Sequence, residues 1–132
     1  MNINRYMLTT YRHHARGPDA FDCYGLVRHV LHYEIGQPLL PSFSHVDPDN
    51  KLSLTRAWYE AEAFFSLSES PRAGSMACFF KGRLLLHVGV VVMADKGLSV
   101  LETTPEHGPR IIPVRTLGNY YKDVLFYDQI LP

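Results

Sequence analysis

The stretch AFDCYGLVRHVL, residues 20–31, sets one of the chain's two cysteines directly before an apolar run. A thiol is a strong nucleophile once ionised, and a helix N-terminus favours the anion through its dipole and its free backbone N–H groups. Cys23 has that position if a helix opens near Asp22. It then needs a base. Of the seven histidines, His87 stands out because it interrupts the apolar segment LLLHVGVVVM, residues 84–93. One cysteine with a distant histidine is the pattern of nucleophilic thiol catalysis.

Such an imidazole is held in one tautomer by a third group. Residues 84–93 and 97–104 read as a hairpin, and if Met93 faces Leu98, then Val91 faces Val100 and Gly89 faces Glu102. Side chains alternate along a strand, so His87 and Gly89 share a face, and Glu102 lies diagonally across from His87. A glutamate there is placed to accept the imidazole N–H, and its charge raises the histidine pKa. A solvated carboxylate paired with Arg110 is the competing reading. His107, in TPEHGP, is the rival for the third position, and the sequence leaves both alternatives open.

These residues require elements to carry them. Residues 1–20 are polar and end in a Gly17-Pro18-Asp19 turn. Leu26, Val27, Val30, Leu31 and Ile35 recur at helical spacing within 21–35, and Gly36 and Pro38 stop that helix. Residues 37–51 read as a loop, and 52–65 as a second helix with Ser53 or Thr55 as its cap. Strands follow at 75–80, 84–93, 97–104, 110–116 and 122–131, with Pro113 marking an edge position or a bulge. The expected class is α+β: N-terminal helices, the cysteine helix among them, packed on an antiparallel β-sheet in one domain, 1–132.

Composition narrows the function. Thirteen basic and thirteen acidic residues among 132 cancel, so no basic footprint recommends a nucleic-acid partner. No apolar segment is long enough to span a bilayer, and the first residues lack the pattern of a signal peptide. Synthesis in the cytoplasm without a signal peptide is expected. Cys23 and Cys78 are expected to be free thiols. His29 and His32 share a helix face but lack a third ligand, so neither a metal nor another cofactor is expected.

FDCYGLVRHV followed much later by HVGVVV closely resembles the NlpC-type cell-wall cysteine peptidases, a compact branch of the papain-like fold. Upstream, YRHHARGPDAFDCYGLV is similar to the family's Pro-Tyr-x-x-Gly-Gly approach to its cysteine, and SPRAGSMACFF to its Pro-x-x-Gly-Asp strand. The resemblance runs from about Tyr11 to Tyr127 and is strongest to members encoded in phage tail modules. It implies Cys23 as nucleophile, His87 as base and Glu102 in the orienting position. It also implies Tyr11 at the oxyanion, and Asp22 and Tyr24 as peptide-holding residues. The implied substrates are peptidoglycan stem peptides, commonly cut between D-glutamate and a diamino acid, and the implied partners are phage-tail proteins in a tail or similar particle. Tyr24 stands where serine is frequent, His14-Ala15 replaces the Gly-Gly pair, and Ser75 replaces an aspartate. Two other functions fit the same residues: a non-catalytic tail or assembly protein, and a thiol acyltransferase.

Overall fold

Two rhythms of apolar residues organise the chain, helical in its first half and strand-like in its second. The computed structural model describes residues 2–43, 46–47 and 49–130. A short helix α1 (Ile3–Met7), not foreseen in the polar N-terminal stretch, leads to strands β1 (Thr10–Tyr11) and β2 (Ala20–Phe21), paired in parallel. Helix α2 (Cys23–His29) widens into a π-turn over Val30–Glu34, so the expected helix 21–35 is one run whose pitch changes halfway. Leu26, Val27, Val30 and Leu31 are buried along it. Gly36, at φ +87°, ends it in the left-handed region.

Helix α3 (Lys51–Ala61) is capped by Asn50, whose side chain accepts the Ser53 N–H at 3.2 Å. The expected caps Ser53 and Thr55 lie inside the helix instead. Asn50 is the residue with extended dihedrals just before the first turn, and from there a side-chain oxygen reaches the third helical N–H. Thr55 ties the helix to the sheet: its hydroxyl donates to the Lys51 carbonyl at 2.6 Å and accepts the Leu85 N–H at 2.9 Å. The helix also ends sooner than its pattern predicts. A 3-10 turn over Glu62–Phe64 delivers the chain into strand β3 (Phe65–Leu67), with Trp58 and Phe65 buried and Tyr59 and Phe64 half exposed.

The remaining strands are β4 (Met76–Lys81), β5 (Leu84–Ala94), β6 (Gly97–Thr104), β7 (Gly108–Pro113) and β8 (Asp123–Gln129). They form a six-stranded antiparallel sheet in the order β3-β8-β4-β5-β6-β7, which with the helices makes a mixed α+β architecture. Met93 pairs with Leu98 and Val91 with Val100, as the hairpin arithmetic requires. Pro113 closes the edge strand β7, and residues 114–119 form a 3-10 turn where the strand was expected to continue. The expected strand 122–131 reaches Leu131, which lies outside the described residues.

The sheet is buried on both faces. Cys78, Val88, Val90 and Leu101 meet α2 and α3 on one side, while Phe79, Val91, Val100 and Ile112 pack with Leu117 on the other. Burial on both sides explains why β5 reads as a continuous apolar run rather than an alternating one. Among the described residues no helix is long and apolar enough to cross a membrane.

Candidate active site

Asp22 organises the start of α2. Its Oδ1 accepts the Gly25 N–H at 2.7 Å and Arg16 Nη1 at 2.7 Å, and its Oδ2 accepts the His14 N–H at 3.2 Å. The carboxylate is wholly buried. Cys23 is therefore the first residue of a helix whose cap is itself braced by an arginine. A Cβ at Gly25 would lie 2.1 Å from the Ala15 carbonyl oxygen, so glycine two residues after the cysteine lets the preceding loop lie against the helix. His14 in that loop has φ +64°, in the left-handed region that favours glycine.

His87 reaches the same place from β5. Phe79 pairs with His87 but Phe80 pairs with Leu85, which leaves Leu86 as a bulge. The bulge breaks strict alternation: Leu85 and Val88 both face the helices, while the His87 ring turns to the other face and stacks near Phe79 and Tyr121. Helix α3 clamps this irregularity, since Lys51 Nζ donates to the Leu86 carbonyl at 2.8 Å.

The imidazole makes a hydrogen bond with Glu102, its Nε2 lying 3.1 Å from Glu102 Oε1, and lies near enough to Cys23 for the sulfur to act on its titration. With Nε2 engaged by the carboxylate, Nδ1 is the nitrogen left for the sulfur. Burial works against a charged His87. The interactions with Cys23 and Glu102 outweigh it and push the pKa up to about 9. Glu102 moves the other way: burial raises its pKa, but the His87, Tyr121 and Arg110 contacts bring it down to about 2. Glu102 Oε2 accepts Arg110 Nε at 2.6 Å, and Oε1 also accepts the Tyr121 hydroxyl at 2.6 Å. The pairing of Glu102 with Arg110 and its contact with His87 are thus simultaneous, not alternatives. His107 is exposed at the β6–β7 turn, where its N–H donates to Thr104 Oγ1.

Tyr11 is half-buried near this centre. Burial raises its pKa, and the proximity of Cys23 and Asp22 adds to the effect. Its hydroxyl takes no hydrogen-bond partner among the described residues, whereas its ring meets His13 edge-on at 5.5 Å. Tyr24 is committed elsewhere, because its hydroxyl donates to the Pro41 carbonyl at 2.6 Å and its ring lies against Phe43 and under Arg16. Asp22 is buried beneath three donors. Both residues, expected to hold substrate, also hold the loops that frame the cysteine.

Three residues support the site in ways the sequence did not assign to them. Arg16 joins the cap to the loop carbonyls of Ser42 and Phe43, Tyr121 reaches Glu102 from beyond a 3-10 turn, and Arg110 figured only as a competitor for the glutamate. A mainly apolar cavity of about 30 Å³ lies behind the cap among Arg16, Tyr24, Phe43, Trp58 and Val88. It has room for about one water, which makes it a packing gap. His13, Asp47 and Asp49 bring three donor atoms within 4.8 Å of one another at the surface, with His13 Nε2 3.2 Å from Asp49 Oδ2. Cys78 is a buried free thiol whose pKa burial pushes well up, so it is inert.

A thiol at a helix start, an imidazole and a carboxylate thus meet in one buried cluster. No protein-family model matches the chain, and a search of curated proteins found no similar sequence.

Proposed function

We propose that the protein is a cysteine amidohydrolase of NlpC type on a papain-like fold, acting on peptidoglycan stem peptides in association with a phage tail or a similar particle. The observation that carries the chemistry is one alignment: Cys23 at a capped helix start beside His87, whose Nε2 meets a buried, ionised Glu102. The left-handed His14, at a position where the resembling family has glycine, supports the fold assignment.

In this reading His87 takes the Cys23 proton, and the sulfur attacks the amide carbonyl carbon. The C–N bond breaks as the His87 imidazolium gives its proton to the departing amine, leaving a thioester on Cys23. Water then attacks that carbonyl while His87 takes its proton, and expulsion of the thiolate frees the acid. The Cys23 N–H belongs to the first helical residue and has no place in the helical ladder, so it is available with the Tyr11 hydroxyl to the developing oxyanion.

The test is cleavage of purified muropeptides followed by mass spectrometry. Cys23→Ala is expected to abolish the new products, and one equivalent of iodoacetamide is expected to label Cys23 and spare Cys78. Cleavage that survives Cys23→Ala, or a Cys23 that resists the reagent in the folded protein, overturns the assignment. Loss of cleavage in Tyr11→Phe with substrate binding retained places its hydroxyl at the oxyanion.

A further inference from the structure

We propose that Arg110 is a positioning residue for this site: by gripping one oxygen of Glu102 it fixes the other toward His87. The proposal rests on the amidohydrolase reading only for its turnover measurement. The terminal torsion of a glutamate is broad and roughly two-fold, so one contact leaves the carboxylate free to tilt. Here Arg110 Nε holds Oε2 at 2.6 Å, while Tyr121 at 2.6 Å and His87 at 3.1 Å share Oε1. The two-sided grip removes the tilt.

Arg110 is itself anchored. It sits directly across the β6–β7 ladder from Glu102, and its guanidinium lies 5.1 Å from the centre of the Tyr120 ring. Its charge also answers a problem of burial. A carboxylate without solvent contact and with only an imidazole beside it tends to take up a proton, and a protonated Glu102 no longer stabilises imidazolium. The titratable groups in contact with Glu102 are His87 from β5, Arg110 from β7 and Tyr121 from the segment before β8; Cys23 of α2 acts on it through His87.

The rate of Cys23 alkylation by iodoacetamide, followed against pH in the full chain, tests this without any substrate. Arg110→Gln is expected to slow alkylation at neutral pH roughly tenfold and to move the acid limb up by about one pH unit, as Glu102 begins to protonate. Arg110→Lys restores the charge without the planar fork, so the acid limb returns while the rate stays low. In a Glu102→Gln background, Arg110→Gln is expected to add no further loss. That last comparison holds even if Arg110→Gln alone fails to fold, because the double variant has no stranded charge. An unchanged profile in folded Arg110→Gln, or a further loss in the Glu102→Gln background, overturns the proposal. Muropeptide turnover by the same variants separates the two levels: kcat falls with KM unchanged if both readings hold. A wild-type protein that cleaves nothing, yet whose alkylation follows this pattern, fails as a hydrolase while the role of Arg110 stands.

Discussion

Glu102 keeps its charge without solvent because donors from three segments converge on it. Its pKa lies near 2 against an ordinary 4.5, so its stabilising effect is complete above pH 4.5 and fades as pH falls toward 2. His87 lies near 9 against 6.5, so its effect is complete below pH 6.5 and fades as pH rises through 9. Both are at full strength between 4.5 and 6.5. The melting temperature of the wild type is therefore expected to exceed that of Glu102→Gln most within this window, with the gap shrinking on either side; a gap independent of pH contradicts it. The contact itself was legible because strand pairing makes Glu102 a matter of counting from Met93 and Leu98. Tyr121 was not, since the turn over 114–119 that brings it back is shaped by packing on the sheet. Asp22 and Tyr24 were legible as positions beside the cysteine, but the loop contacts they make were not, because those partners lie in segments without a periodic pattern.

At the scale of elements, the bulge at Leu86 and the glycine two residues after His87 set the approach of β5 to β6. A Cβ on Gly89 would lie 2.6 Å from Val100 Cγ1 and 3.2 Å from the Leu101 carbonyl oxygen, both on fully buried residues of β6. Gly89→Ala is expected to destabilise by about 1–3 kcal/mol in urea unfolding. It should also slow Cys23 alkylation, because the displaced strand carries Glu102. Asn50→Ala serves as a contrast, costing about 1 kcal/mol through the lost cap of α3. The long elements followed from apolar period, whereas α1, β1, β2 and β3 are too short to show one. The bulge left no trace in the pattern either, because Leu85 and Leu86 are both apolar and either could face the helices.

Over the whole molecule, two apolar layers sandwich one sheet, and Trp58 joins α3 to the strands at its far side. Its ring is buried against Phe65 and Tyr127, with centroids 5.6 and 4.7 Å away. Trp58→Ala is expected to cost about 3–5 kcal/mol in chemical denaturation, and a loss below 1 kcal/mol would place the core elsewhere. The α+β class was legible from helices preceding strands, but strand order was not, because β8 carries no local mark of where it inserts. That insertion affects how the protein comes into being on the ribosome. β4 through β7 can zip as successive hairpins while translation proceeds, yet β4 keeps an open seam until residues 123–129 emerge and slip between it and β3. Nascent chains halted at Asn119 should therefore be cut readily by protease, and the thiol centre should assemble only once β8 has emerged.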